Sequence, residues 1–235
     1  MIAAETGAAA QTLLKSLPQV VTAIGGLGTA AFGLVDATKV FWGGVNHVGF
    51  SKIEARVKGL MPTAGQALNA LPLQDALNTL KGNWFNGTDL GSQKAIAKSL
   101  VKLHLNPDNA AALAAATNID PVLLTTIAGK MSTGVALIPE ESDAYGRFDL
   151  IVTALLDETY QMADQDYRNG TRALAVVFSM GLAVAGAGVM DGGWFGSHLA
   201  EAVIVGLLAT PLAPIAKDLS SALATAVNTL QVVKK

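Results

Sequence analysis

The chain contains no cysteine, and only 14% of its 235 residues are charged. Without cysteine it has no thiol nucleophile, no thiolate metal site, no redox pair and no disulfide framework. Typical globular chains carry about 25% Asp, Glu, Lys and Arg. Here 16 basic residues face 18 acidic ones, for a formal net charge of −2. That excludes the basic surface of a nucleic-acid binder, so no nucleic-acid partner is expected. Aromatics are also scarce, at 6%. No phosphate loop, dinucleotide fingerprint, HExxH, EF-hand pattern or serine elbow occurs. The three histidines, His47, His104 and His198, lie far apart in the chain. These absences assign no catalytic residue, no cofactor and no metal, and they point to a protein that is not an enzyme.

What the chain has in quantity is small and apolar. Hydrophobic residues make up 51%, with 40 alanines and 24 glycines. Their distribution shows three uncharged stretches. Ser16–Val35 has twenty residues, enough at 1.5 Å each for about 30 Å of hydrocarbon. Ala173–Met190 follows Arg172 and precedes Asp191. Ala202–Ala216 is shorter and contains Pro211 and Pro214, so it spans only with help from its flanks or as a kinked piece. No ionisable residue is placed firmly inside a span.

These stretches predict an all-α integral membrane protein with about three transmembrane helices and a helical cytoplasmic domain. Its parts are a short N-terminal segment (1–15), transmembrane helix 1 (16–42) and a helical domain ending in a long helix (43–171). Transmembrane helix 2 (172–190), a short external loop (191–200), transmembrane helix 3 (201–217) and a C-terminal segment (218–235) complete it. Basic residues cluster at Lys39, Lys52, Arg56 and Lys58, at Arg147, Arg168 and Arg172, and at Lys217, Lys234 and Lys235, whereas 191–201 has none. The excess of Lys and Arg on the inner side of membranes then places the soluble domain and the C-terminus in the cytoplasm. Phe41 and Trp42 fall at the inner interface and Trp194 and Phe195 at the outer one. The N-terminal span lacks the features of a cleaved signal peptide.

The middle of the chain reads as a series of helices. Ser51 and Glu54 form a capping pattern for a helix to Lys58, interrupted by Gly59 and Pro62. A helix is expected over 66–80, then a turn-rich loop over 82–92. The stretch 93–105 reads as an amphipathic helix with Ile96, Leu100, Val101 and Leu103 toward a core and Lys94, Lys98 and Lys102 outward. Asn106-Pro107 and Asp120-Pro121 start the next two helices, and 132–139 is a loop. A long helix over 145–168 either breaks at Asn169-Gly170 or runs on into the second span. His104 reads as a helix-end surface or interface residue rather than a ligand.

Two groups of candidate functional residues remain. Gly25, Gly26 and Gly28 in the first span, with Gly181, Gly186 and Gly188 in the second, are helix-packing candidates, because glycine lets backbones approach closely in a bilayer. Eight acids crowd 140–166. A solvated helix face is the plain reading of them. A partner-docking or weak divalent-cation surface on Asp157, Glu158, Gln161 and Asp164 is the sharper one, since oxygen ligands suit hard cations.

The stretches RFDLIVTALLDETYQMADQDYRNGTRALAVV (147–177) and GLLATPLAPIAKDLSSAL (206–223) carry a resemblance. They are similar to a family of uncharacterised bacterial multi-pass membrane proteins with a helical cytoplasmic domain between the first two spans. In that family the long helix has an aspartate–arginine pair and further basic residues before the span. Asp157 matches the aspartate, Glu158 stands where arginine is usual, and Tyr167-Arg168 is followed by Asn169-Gly170. Thr210-Pro211 and Ala213-Pro214 stand without the aromatics of the family's final span. The resemblance implies a membrane fold, with the inner membrane of a bacterium as the expected location, and carries over no catalytic residue.

The expected partners are the lipid bilayer and further copies of the chain or other membrane helices. The leading expectation is an oligomeric structural or scaffold component. A small oligomeric channel, with Thr22, Thr29 and Ser179 as its available hydroxyls, is the alternative, and a soluble helical lipid-binding protein is a further one.

Overall fold

The computed structural model describes residues 2–62, 72–191 and 198–233. They form eight α-helices: α1 (Ile2–Trp42), α2 (Asn46–Leu60), α3 (Leu73–Phe85), α4 (Leu90–His104), α5 (Ala110–Thr117), α6 (Pro121–Thr133), α7 (Pro139–Asp191) and α8 (Leu199–Val233). No strand occurs among the described residues. The chain divides into two compact units, one of Met1–Gly44 with Asn169–Lys235 and one of Val45–Arg168.

The first unit holds the apolar helices. Windows in α1, α7 and α8 with mean hydropathy of 1.6, 2.1 and 1.9 are long and apolar enough to cross a membrane. α1 stops where Gly43 and Gly44 take φ of 72° and 47°. That left-handed backbone suits glycine and lets Gly43 N–H bond the Lys39 carbonyl at 2.9 Å. α8 continues through Pro211 and Pro214. Each proline withdraws the N–H that the carbonyl four residues earlier would accept, which leaves the Leu207 and Thr210 carbonyls without that bond. α7 passes through Asn169 and Gly170 without a break, so the long helix and the second span are one helix. α1 and α8 both run beyond the expected spans, over residues 2–15 and 218–233.

The second unit is a helical domain around one core. On α2, Phe50, Ile53, Val57 and Leu60 recur every three or four residues and are all buried, the spacing that lines one helical face. Leu77, Leu80 and Trp84 of α3, Val101 of α4, Leu113 of α5 and Leu124 of α6 meet them, and Phe148, Val152, Leu156 and Tyr160 of α7 complete the cluster. Each such large side chain stabilises by about 1.5–3 kcal/mol when fully buried. Gly49 lets α2 come close: a Cβ there would lie 2.5 Å from the Trp84 ring and 2.7 Å from the Ala163 carbonyl. Trp84 also donates its indole N–H to the Asn46 carbonyl at 2.9 Å.

Several local expectations change. α2 begins at Asn46, five residues before Ser51, whose hydroxyl instead bonds the Val48 carbonyl. Tertiary burial of Gly49 and Phe50 extends the helix beyond its capping pattern. Residues 82–85 are helical rather than loop, because Trp84 is held in the core, and 90–92 are helical because Asp89 caps α4, accepting from Ser92 N–H at 2.9 Å. Of the helix expected over 66–80, the residues 66–71 lie outside the described ones, as do Trp194 and Phe195. α5 starts at Ala110, after a turn in which the Asn109 side chain accepts from Asn106 N–H and the Asn106 side chain from Asn109 N–H. Asp120 does cap α6, accepting from Leu123 N–H at 2.8 Å. The buried face of α4 is Gln93, Ala97, Val101 and His104, whereas Leu103 is 72% exposed. Of the two readings of His104 the interface one holds: it is fully buried and its Nε2 lies 3.0 Å from the Pro62 carbonyl.

Candidate functional site

Small residues bring α1 and α8 together. A Cβ on Gly25 would fall 2.0 Å from the Ala216 side chain, and one on Gly28 would fall 2.1 Å from the Ala209 carbonyl oxygen. Both positions therefore admit only glycine at this helix spacing. Gly206 of α8 does the same against α7, where a Cβ would lie 2.5 Å from the Met180 Cα. Beside it, the buried Ser179 hydroxyl donates to the Gly206 carbonyl at 2.7 Å and lies 3.3 Å from the Thr210 hydroxyl. A hydroxyl satisfied in this way joins two helices where no water is at hand.

The remaining candidate glycines behave differently. A Cβ on Gly26, Gly181 or Gly186 would meet nothing within 4 Å, and the same holds for Gly33. Gly188 is half-buried. α1 thus has two small-residue faces. Gly25, Gly28 and Ala31 turn inward to buried positions, while Thr22, Gly26, Thr29 and Gly33 are exposed along the other side. Thr29 uses its hydroxyl on the Gly25 carbonyl of its own helix, at 3.0 Å. Gly206 and Thr210 were missed by sequence reasoning. Their signal was present, since Ala202, Gly206, Ala209, Ala213 and Ala216 recur at three- and four-residue intervals.

A cavity of about 560 Å³ opens between the apolar helices. Ala23, Ile24 and Leu27 of α1 face Leu182, Ala183, Gly186, Ala187 and Met190 of α7 across it, and His198, Glu201, Ala202 and Val205 of α8 close it. His198 Nδ1 is 3.1 Å from the Glu201 carboxylate.

In the helical domain the acids of α7 are joined to bases on neighbouring helices. Asp149 accepts from Lys102 at 2.9 Å and Lys98 at 3.2 Å. Asp157 accepts from Lys94 at 2.5 Å. Glu158 faces Arg56 at 3.6 Å and Asp166 faces Lys52 at 3.2 Å. Asp164 pairs with Arg168 one turn along α7 at 2.8 Å, and Gln161 is exposed. Asp157 would have to release Lys94 before it could ligate a cation. Among the described residues no three His, Asp or Glu side chains gather closely enough to hold a metal. The lysines that hydrophobic periodicity turned outward therefore sit at the contact between α4 and α7.

These pairs set the local charge states. The hydrogen bond from Lys102, assisted by Lys98, holds the Asp149 carboxyl below the usual aspartate range despite partial desolvation. In return Asp149 raises Lys102. Glu141 is nearly buried and accepts Lys130 on both oxygens, at 2.6 and 2.7 Å, together with Ile138 N–H at 3.0 Å. Those donors hold its carboxyl low. Burial alone pushes the Tyr160 phenol well up. A second cavity, about 420 Å³, is lined by Lys52, Arg56, Thr159 and Met162, but both its cations already face carboxylates. Apart from Asp164–Arg168, these pairs tie one helix or its approach to another.

Comparison with protein-family models, curated proteins and solved structures finds no match. The chemistry of the chain's own surfaces therefore carries the functional reading.

Proposed function

We propose that this chain is a non-enzymatic, multi-pass integral membrane protein that self-assembles as a structural or scaffold component. The observation that carries this is the unused small-residue face of α1, where Gly26 and Gly33 have open space beside them while Gly25 and Gly28 are packed to backbone contact. Thr22 with Gly26, and Thr29 with Gly33, each have the small-xxx-small spacing by which helices associate in bilayers, and the two pairs lie on one face. The lipid bilayer is the surrounding partner. Only 22%, 17% and 33% of the three apolar windows is buried by the chain itself, and exposed apolar area on this scale favours lipid over a soluble helical bundle. The distribution of Lys and Arg supports an orientation with the helical domain and the C-terminus cytoplasmic and the 191–201 stretch outside, and the resemblance to bacterial multi-pass proteins favours the inner membrane. The channel alternative loses support from the hydroxyls, since Ser179 is buried between helices and Thr29 bonds its own backbone.

The absence of native cysteine allows a direct test. Single cysteines replace Gly26, Thr29 or Gly33 on the open face, and Ala31 or Val35 on the packed face. Oxidation in native membranes is expected to link copies through the first set only. Equal linking at both faces, or none at either, overturns the assembly. Carbonate extraction tests the membrane assignment separately, through retention in the pellet.

A further inference from the structure

We infer that the cavity between α1, α7 and α8 holds one acyl chain of an aminophospholipid, with the primary ammonium of its headgroup on Glu201. This rests on the membrane reading but uses a different face from the assembly surface. The slot has an apolar lining suited to hydrocarbon. From Leu182 to Met190 its α7 wall covers about 12 Å of helix, and Ile24, Leu27 and Val205 supply the opposite surfaces. Its volume of about 560 Å³ lies within the roughly 300–1,000 Å³ of sites that take small ligands. Gly186 deepens it, since a Cβ there would meet nothing within 4 Å.

The polar end selects the headgroup. Glu201 is the one charged side chain in the apolar stretch of α8 from Leu199 to Ala216, and its side chain is 75% exposed. A carboxylate only accepts, so His198 Nδ1 carries the proton between them and orients Glu201. Among the described residues that line the cavity none is Lys or Arg. That end therefore offers a carboxylate acceptor to a cationic headgroup. A primary ammonium can donate hydrogen bonds to the carboxylate, whereas a trimethylammonium has no N–H to give. Phosphatidylethanolamine satisfies both the slot and its mouth.

The test uses the full-length protein in nanodiscs of equal dioleoyl-phosphatidylethanolamine, -phosphatidylglycerol and -phosphatidylcholine, followed by native mass spectrometry of the released protein. One retained phosphatidylethanolamine per chain is expected. Glu201→Gln should reduce its enrichment about tenfold, the ratio set by one charge-assisted hydrogen bond. Gly186→Leu fills the slot and should abolish retention of any lipid while the protein stays carbonate-resistant. Retention of the three lipids in bulk proportion by the wild type overturns the headgroup assignment. Lipid retention by Gly186→Leu, or lipid-free copies that dimerise through this slot, overturns the site. Release of the wild type by carbonate overturns the membrane reading along with it.

Discussion

Gly28 and Ala209 meet backbone to backbone: a Cβ on Gly28 would stand 2.1 Å from the Ala209 carbonyl oxygen. Two positions earlier on α1, the equivalent atom on Gly26 would meet nothing. Neighbouring glycines of one GGLG stretch thus do separate work, and a substitution series can tell them apart.

Gly28→Val forces α1 and α8 apart, at a cost of about 1–3 kcal/mol for overpacking. Gly26→Val leaves the fold of the chain unchanged and weakens only association between copies. Unfolding by SDS titration in mild detergent reads the first effect, and oxidative linking through Thr29→Cys reads the second. Loss of fold stability in both variants would contradict the division.

Ser179→Ala removes the donor to the Gly206 carbonyl and the neighbour of Thr210. Hydrogen bonds between membrane helices average about 0.6 kcal/mol, with the largest near 1.7. This one is fully buried and short, so the upper part of that range is expected. Ser179→Thr, which keeps the hydroxyl but adds a methyl at a crowded contact, should lose stability through packing instead. A double-mutant cycle with Thr210→Val separates the two contributions, since only the hydroxyl pair couples.

Asp149 gives the helical domain its pH dependence. Its carboxyl is held low in the folded chain by Lys102 and Lys98, against about 3.9 when unfolded. The stabilisation is therefore present above about pH 4 and is lost as the pH falls through the lower folded value. Glu141 acts in the same direction. Lys102 is raised, so its share is full below about pH 10.4 and is lost above it. Urea unfolding followed by Trp84 fluorescence, in a Trp42→Phe, Trp194→Phe background, should be flat between about pH 5 and 9 and weaken on both sides. Asp149→Asn is expected to cost about 1 kcal/mol at neutral pH, given that the pair is partly solvated, and to make the acid limb shallower. An unchanged acid limb in that variant would rule out Asp149 as the source.

Asp157→Asn provides the contrast. The side chain is 49% exposed, so loss of its contact with Lys94 should change stability by less than about 1 kcal/mol. The same variant, compared with the wild type by isothermal titration with Mg²⁺ or Ca²⁺, examines the cation-surface reading. Heat specific to the wild type would restore that reading over the interhelical tie.

Low charge and its spacing along the chain were enough to reveal the helical class and the three apolar helices, because a bilayer-length helix needs uncharged residues in sequence and little else. Capping chemistry also showed locally at Asp120. By contrast, the sequence could not separate Gly25 and Gly28 from Gly26, since a 100° turn per residue distributes adjacent glycines over different faces and only the position of α8 selects one. It could not reveal that Lys94, Lys98 and Lys102, polar on their own helix, meet Asp157 and Asp149 some fifty to sixty residues away. Nor could it bury His104, which reads as polar at a helix end until the Pro62 carbonyl arrives from a distant turn. What the sequence alone determined is which segments are apolar enough to leave water. Which faces of those segments are already filled, and which are left open for lipid or another copy, depended on the packing of one helix against another.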